Sequence, residues 1–387
     1  MPTLANKDLC VGCTACVSKC PKHCLDIVYD EAGFAYPKLS NAEYCKKCNL
    51  CERVCPILNK TEIDNESTSA FAAFSLDNQI RSESSSGGIF TELALQVLSK
   101  NGLVYGAAYN DSWMVEHIAV DTIEKLHKLR GAKYVESSLE GVFSEIECQL
   151  NNKREVLFSG TPCQVAGLKS FLKKDYANLF CVDFVCHGIP SPLAWKKYID
   201  ERKRVDGEIE MPCSINQRSK ETGWSRYSYS SVIVYPDGRK YSAVSNDDLY
   251  MKLFCNDYIS RKSCKFCTFK GYARLSDITL GDFWGIWDIV PEMDDGKGTS
   301  IVLTHSKKGR EAFLNLEDRV KYRDTTLEEA ARENPALLYA ALEKKERKNI
   351  LSKIENGNFG ELYDLFPVKK TNKVSKWKRL VKKLKKL

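Results

Sequence analysis

The chain lacks any apolar segment long enough to cross a membrane. None of its apolar runs approaches the ~18–20 residues that span a bilayer. The N-terminus MPTLANKDLC has no basic start followed by an apolar stretch, as a signal peptide would. These absences predict a cytoplasmic protein. With 43% hydrophobic and 28% charged residues, the 387-residue chain is also neither disordered nor fibrous, and it is long enough for two or three domains.

Acidic residues are missing from the end of the chain. Residues 369–387 carry ten Lys/Arg and no Asp or Glu, so removing them from the formal net charge of +7 leaves −3 on residues 1–368. This uneven distribution argues against nucleic-acid binding. The tail has apolar residues at helical spacing, which is typical of a helix that lies on an anionic membrane or docks on an acidic partner. A solvated, frayed terminus is the alternative.

Cysteine, by contrast, is abundant, with 17 residues. In a reducing compartment this excess indicates metal or redox chemistry rather than disulfides. Residues 10–21 (CVGCTACVSKCP) and 45–56 (CKKCNLCERVCP) both follow C-x-x-C-x-x-C-x-x-x-C-P, the spacing of two-cluster ferredoxins. Zinc knuckles use CxxC pairs instead. In the ferredoxin pattern the fourth cysteine of each run binds the other cluster. We therefore predict a first thiol set (Cys10, Cys13, Cys16 and Cys55) and a second thiol set (Cys20, Cys45, Cys48 and Cys51).

Beyond residue 68 short apolar segments alternate with helical patterns, which predicts an α/β domain with a mixed or parallel sheet. Predicted strands cover 69–75, 103–109, 155–160 and 178–186, and a hairpin turns at Pro-Asp-Gly within 232–243. The sequence SSSGG (84–88) precedes a helix, so it is either a phosphate-binding loop or an ordinary helix-capping turn. Residues 307–366 are predicted to be helical.

Four further cysteines fall in loops at the expected sheet edge, where ligands gather in open α/β sheets. By spacing alone they suit a third iron–sulfur cluster, a zinc site, or a redox CxxC with two structural cysteines. We call them the third thiol set: Cys163, Cys186, Cys264 and Cys267. Of the five cysteines left over, Cys148 and Cys181 have apolar neighbours and are predicted to lie in the core.

The motifs SSGG, LRGAKYVESS (129–138), FSGTPCQ (158–164), DFVCHGIPS (183–191), CKFC (264–267) and DITLGDFWG (277–285) occur in this order. This series resembles the beta-subunit family of coenzyme F-420-reducing hydrogenases and formate dehydrogenases, here with a ferredoxin module in front. Fused members of this kind occur in bacterial polysaccharide biosynthesis loci. The family's hydrogenase subunits lack the fused module, so their substrate and electron donor cannot be assigned to this chain.

The resemblance implies a domain that binds FAD and one [4Fe-4S] cluster, with the third thiol set as ligands. The family's flavin-site motifs fall on nine residues: Ser85, Ser86, Gly87, Gly88, Lys133, Tyr134, Gly160, Thr161 and Asp282. The chain would then hold three [4Fe-4S] clusters and FAD. Catalytic residues are not identified.

These observations predict an α+β ferredoxin-like two-cluster domain, then an α/β mixed-sheet flavin and iron–sulfur domain, with C-terminal helices. The expected divisions are a ferredoxin domain over 1–60, a linker over 61–68, the beta-subunit-like domain over 69–305 (parts of about 69–150 and 151–305), a helical extension over 306–368 and the basic tail over 369–387.

The leading functional hypothesis is an iron–sulfur flavoprotein oxidoreductase that works with a redox partner such as a ferredoxin or a reductase. The alternatives are an electron-transfer subunit without its own substrate site and a structural cluster protein that serves as a scaffold.

Overall fold

The computed structural model describes residues 2–61 and 68–368. The predicted basic tail and the interior of the predicted linker lie outside these residues. The described chain forms a ferredoxin-like module, a mixed eight-stranded sheet with flanking helices, a small three-stranded sheet and a set of C-terminal helices. The predicted fold class is therefore confirmed.

The two cysteine runs of the module fold in the same way. Each contains a one-turn helix before its last cysteine, α1 (Ala15–Ser18) or α2 (Leu50–Arg53), and a hairpin of β1 (Leu25–Tyr29) and β2 (Ala35–Leu39) connects the runs. Thr14 and Asn49, at equivalent positions before the two helices, both have left-handed φ angles of 60° and 56°. A left-handed residue tightens the turn, so each run presents its cysteines on one short loop.

The central sheet contains eight strands: β3 Ser69–Ser75, β4 Leu103–Tyr109, β5 Val115–Val120, β6 Val156–Ser159, β7 Leu179–Phe184, β11 Ile278–Asp282, β12 Ser300–Thr304 and β13 Val320–Thr325. Their order across the sheet is β13, β3, β12, β11, β7, β6, β4, β5. Strands β11, β7, β6 and β4 are parallel to their neighbours in this group, and the outer pairs are antiparallel. The four strands predicted before residue 190 are thus confirmed to within two residues at each end.

The small sheet contains the predicted hairpin. Its order is β10 (Lys240–Val244), β9 (Ser230–Val234) and β8 (Ser214–Ser219), all antiparallel. The longer helices are α4 Ile89–Leu98, α5 Val142–Asn151, α6 Pro162–Leu172, α7 Pro192–Asp206, α10 Lys307–Leu314 and α13 Arg347–Asn356. The shorter ones are α3 Asn78–Ser82, α8 Leu249–Cys255, α9 Ile286–Ile289, α11 Leu327–Arg332, α12 Pro335–Leu338 and α14 Leu362–Leu365.

Strand β6 shows why the sheet is covered on both faces. Val156, Leu157 and Phe158 are all fully buried. Leu157 belongs to one apolar cluster, and its two neighbours belong to another on the opposite face, because successive side chains of a strand point in opposite directions. Cys181 lies in the second cluster as predicted.

Two predictions about residues outside the thiol sets are wrong. The stretch 307–366 is not entirely helical, since Val320–Thr325 forms edge strand β13 against β3. Val320 is buried while Arg323 and Asp324 are exposed, and the edge of β3 supplies backbone partners that a helix would not use. Cys148 is exposed rather than buried, because it occupies the solvent side of α5. Within the described residues no helix is long and apolar enough to cross a membrane.

Candidate functional site

The first thiol set surrounds one cavity in the ferredoxin module. All four of its cysteines line this cavity, together with Cys51. Burial, joined by repulsion from the Cys10 and Cys55 thiolates, raises the pKa of Cys13 to about 12. Buried thiols that repel one another in the charged form are stabilised as thiolates when a metal binds among them. The chemistry of this donor set therefore fits a metal cluster.

The fourth cysteine of each run lies with the opposite run. Repulsion from Cys55 acts on Cys10, Cys13 and Cys16 of the first run. Repulsion from Cys20 acts in turn on Cys51 of the second run. These are the neighbours that the crosswise assignment requires, although the ligation itself stays a prediction.

Next to the second thiol set lies a buried cysteine that the spacing pattern does not use. Cys24 is 2% exposed, and its thiol interacts with the thiols of Cys20 and Cys45. The backbone N–H of Cys24 donates to the Cys20 sulfur at 3.3 Å. Burial opposes ionisation of Cys20, but hydrogen bonds from the backbone of Cys24, Lys22 and Leu25 and from the Cys24 thiol outweigh it, so the pKa of Cys20 is lowered. Cys48 is exposed at the surface.

The third thiol set gathers from three loops that are distant in sequence. Cys163 is in the first turn of α6, Cys186 follows β7, and the other two lie in and after a short turn at 262–266. Burial raises the pKa of Cys163 well above its usual range, and repulsion from all three other thiolates adds to this effect. The structure therefore places these four cysteines together.

Among the described residues no three His, Cys, Asp or Glu side chains converge closely enough to hold a single metal ion. A four-iron cube needs a different arrangement, with one thiolate at each of four separate iron atoms. Backbone and hydroxyl donors already point at sulfurs of the third set. The N–H of Ile189 donates to Cys264 Sγ at 3.3 Å, and Thr161 Oγ1 lies 3.1 Å from Cys163 Sγ.

Helix α6 connects the first and third thiol sets. Gly167 packs against Cys13 so closely that a Cβ at this position would lie 2.6 Å from Cys13 Cβ and 2.9 Å from its sulfur. Cys163 of the third set is four residues earlier in the same helix, about one turn away. Helix α6 therefore contributes Cys163 to the third set and contacts Cys13 of the first set about one turn later.

Arg261 forms a second connection between the same two sets. Its side chain is 1% exposed and donates to the backbone oxygens of Cys10 (2.9 Å) and Ala35 (2.8 Å) in the module. It also forms a 2.7 Å ion pair with Glu136. Its own carbonyl accepts from the N–H of Cys264 at 3.0 Å. A buried cation thus holds the module against the domain that carries the third set.

The predicted Ser–Gly loop (residues 84–88) precedes α4. Gly87 approaches β3 and β12 so closely that a Cβ would lie 2.5 Å from the Ala73 carbonyl oxygen. Gly88, with a φ of +88°, is the N-cap residue of α4, and no side chain caps the helix, so the loop does form the helix-capping turn, through glycine rather than serine. Among the described residues, the N–H groups of Ser86, Gly88 and Ile89 have no acceptor. Free N–H groups at a helix N-terminus attract anions.

Lys220 links this loop to the small sheet. Its Nζ donates to the carbonyl oxygens of Ser86 and Arg81, both at 2.6 Å. Desolvation, with repulsion from Arg81, lowers the pKa of Lys220 to about 8. Lys220 directly follows β8, so the loop and the small sheet are held together.

Arg218, in β8, lies at the centre of the remaining polar cluster. Its Nη1 donates to Asp282 Oδ2 at 2.6 Å and to the Tyr134 hydroxyl at 3.3 Å. Its guanidinium packs against the rings of Tyr229 and Trp284. Nε and Nη2 are buried without a partner among the described residues. This free edge has the geometry that accepts a planar oxyanion or a pair of acceptor atoms.

Lys133 lies beside this cluster with its ammonium group donating to the Arg130 carbonyl at 2.9 Å. Desolvation lowers the pKa of Lys133 to about 7. Burial, with a contribution from the Lys133 charge, lowers the pKa of His117 to about 4. His117 Nε2 lies 3.0 Å from the carbonyl oxygen of Ser159, the residue before Gly160.

Gly160 and Thr161 lie at the junction of β6 and α6. The N–H of Gly160 donates to the Val182 carbonyl at 3.1 Å, and the N–H of Thr161 donates to Gln164 Oε1 at 2.9 Å. A Cβ at Gly160 would lie 3.0 Å from the Phe158 ring. These contacts fix the start of α6 and therefore the position of Cys163. The observed role of Gly160 and Thr161 is thus to position a cysteine of the third thiol set.

Two aromatic contacts join the third thiol set to the polar cluster. His187, next to Cys186, lies 3.0 Å from Asp257 Oδ1 and packs edge-on against Phe254, with 5.1 Å between ring centroids. Phe254 in turn packs against Tyr134 at 5.0 Å. The His187 side chain is 37% exposed, but these two contacts hold its ring in place.

Sequence reasoning missed Arg218, Lys220 and Glu136. The first two lie in NQRSK (216–220), which has no apolar alternation and no recognisable motif. The residues that bury Arg218 and Lys220 and accept their hydrogen bonds belong to chain segments about 60–140 positions away. The one feature of the sequence that could have drawn attention to these two residues is a run of polar residues within a short strand.

The chain matches known families over most of its length. Residues 9–58 match the 4Fe-4S dicluster domain. Residues 70–143 match the N-terminal part, and residues 153–329 the C-terminal part, of the coenzyme F420 hydrogenase/dehydrogenase beta subunit. No curated protein matches the chain.

Among solved structures, a chain of the F420-reducing [NiFe] hydrogenase complex from Methanosarcina barkeri, from a study of its xenon derivatization, is similar at 16% identity with a TM-score of 0.45. The match covers 77% of this chain and 91% of that chain.

The module and its cysteines define an iron–sulfur protein of the electron-transfer class. The two adjoining matches identify its family: the chain belongs to the coenzyme F420 hydrogenase/dehydrogenase beta-subunit family, with a 4Fe-4S dicluster domain in front.

Proposed function

We propose that this protein is an FAD- and [4Fe-4S]-dependent oxidoreductase that exchanges electrons between an external one-electron donor and a two-electron substrate. It would hold one cluster at each of the three thiol sets and one FAD. The observation that carries the proposal is the continuous series of contacts from Cys13 through α6 to Cys163, and from the Cys186 loop through Phe254 to Tyr134.

The residues around the Ser–Gly loop fit the phosphates of a dinucleotide. The loop offers N–H groups without acceptors, and Gly87 lets its backbone lie close against the Ala73 carbonyl and Ser300, so the loop is held against the sheet. Lys220 holds the loop carbonyls and adds a positive charge next to them. These features support the assignment of Ser85–Gly88 to the FAD pyrophosphate.

The residues around Arg218 fit the reactive end of a flavin or its substrate. Asp282 and Tyr134 fix the orientation of the guanidinium, so its Nε–Nη2 edge presents two donors in a set geometry. A bound flavin supplies the conversion between electron pairs and single electrons. Lys133 Nζ, with a pKa of about 7, can hold or release a proton beside this position at neutral pH.

The first test is anaerobic purification with iron, sulfide, zinc and flavin measured per chain. The proposal predicts about twelve iron atoms, because each of three cubanes contains four, and one FAD. About eight iron atoms with stoichiometric zinc would remove the third cluster. Twelve iron atoms without flavin would instead favour an electron-transfer subunit that has no substrate site of its own.

A further inference from the structure

Among the twelve predicted ligand thiols, all of which the structure describes, Cys48 is the exposed one. The other eleven are buried or half-buried. Electron transfer between proteins weakens steeply with distance, so an external carrier protein must approach closely. The surface around Cys48 is therefore where a carrier comes nearest to any of the three thiol sets.

This surface is basic. Lys46 and Lys47 are exposed between Cys45 and Cys48, and Arg53 Nη2 donates to the Cys48 carbonyl at 3.1 Å. Lys22 is also exposed, and its carbonyl accepts from the Cys24 thiol, which interacts with Cys45. Tyr44 is 61% exposed beside them. We define the Cys48 face by these residues: Lys22, Tyr44, Lys46, Lys47, Cys48 and Arg53.

The cations of the Cys48 face are not neutralised by the chain itself. None of the four has a carboxylate within ion-pair distance among the described residues, whereas Lys7 and Lys19 elsewhere on the module pair with Asp30 and Glu147. Two carboxylates are nearby: Glu43 is exposed and forms no ion pair with another described residue, and Glu52 lines the same surface pocket as Cys48 and accepts from the N–H of Thr3 at 2.7 Å. Four cations therefore face two carboxylates. The face therefore keeps a net positive charge beside an exposed aromatic ring.

We propose that the Cys48 face is the docking surface for an acidic one-electron carrier protein. Surfaces of this kind bind weakly and briefly, and complementary charge sets the association rate. In each encounter the carrier would lose one electron and a cluster held by Cys20, Cys45, Cys48 and Cys51 would gain it, with no bond made or broken. The inference rests on the proposed function only in requiring clusters that accept electrons.

The test is the double variant Lys46→Glu/Lys47→Glu in the reconstituted full chain. Photoreduced plant-type [2Fe-2S] ferredoxin serves as the acidic probe, and cluster reduction is followed by stopped-flow absorbance at several salt concentrations. We expect the second-order rate of the unmodified protein to fall as salt rises, and the variant's rate at low salt to be lower by about 10-fold or more. Lys100→Glu/Lys128→Glu, exposed lysines outside the module, makes the same charge change and should retain the rate.

Reduced methyl viologen, a small cation, controls for altered clusters. The Lys46→Glu/Lys47→Glu variant should keep its iron content and should not be slowed with this donor. The proposal is overturned if ferredoxin reduces both variants equally fast, if viologen reduction slows as much as ferredoxin reduction, or if ferredoxin fails to reduce the unmodified chain. Absence of FAD would refute the proposed oxidoreductase but leave this comparison of cluster reduction intact.

Discussion

Replacing Arg261 by Met should release the ferredoxin module from the rest of the protein. The substitution removes the ion pair to Glu136 and the hydrogen bonds to the Cys10 and Ala35 carbonyls. Burial already raises the pKa of Glu136 to about 7 against the opposing effect of Arg261. Without the arginine, a buried carboxylate and two carbonyls lose their partner. Removing one member of such a buried pair costs about 3–5 kcal/mol.

Hydrogen exchange followed by mass spectrometry measures this loss as local opening of the module. Because about 1.4 kcal/mol corresponds to tenfold, peptides covering the β1–β2 hairpin should exchange at least about 100-fold faster in Arg261→Met. Iron content is measured in the same sample. Glu136→Gln combined with Arg261→Met should recover part of the protection, since no buried charge is then left unpaired.

The neighbouring residue provides the matched control. Lys262 pairs with Asp8 of the module, but both side chains are more than 40% exposed. An exposed pair contributes about 0–1 kcal/mol, so Lys262→Met should accelerate exchange by less than about 5-fold. Equal effects of the two single variants would show that burial of Arg261 does not control docking, and the reasoning would be refuted.

Three further results are expected. Gly167→Ala should lower the iron content by about one cubane, or four atoms, because its Cβ would collide with Cys13; iron analysis checks this, and unchanged iron would contradict it. Cys267→Ser should likewise lose about four iron atoms, whereas Cys148→Ser, at an exposed cysteine outside the sets, should lose none. The pKa of His117 is lowered to about 4 from 6.5, so the folded state binds fewer protons than the unfolded state between these values. The contribution of His117 to the free energy of unfolding is therefore fully present above pH 6.5 and decreases, by about 3 kcal/mol, as the pH falls to 4. Urea unfolding midpoints should depend less steeply on acid pH in His117→Gln than in the unmodified protein. Identical profiles would contradict the prediction.

Local patterns in the sequence were sufficient for the features that depend on nearby residues. The repeated CxxCxxCxxxCP spacing and left-handed positions such as Thr14 and Asn49 act within one loop, so each run carries its own folding information. Strands such as Ser69–Ser75 and the hairpin at Pro236-Asp237-Gly238 also follow from local apolar patterning and turn chemistry. The edge strand Val320–Thr325 could not be predicted in this way, because its conformation depends on pairing with the backbone of β3.

The sequence by itself determined that this is a cysteine-rich redox protein with a ferredoxin module, and which twelve cysteines are the ligand candidates. Only the tertiary structure decided how these groups meet. It placed Gly167 against Cys13, enclosed Arg261 between the module and Glu136, and left one edge of Arg218 without a partner. These contacts join residues more than 100 positions apart or depend on burial, and neither property is encoded in any short stretch of the chain.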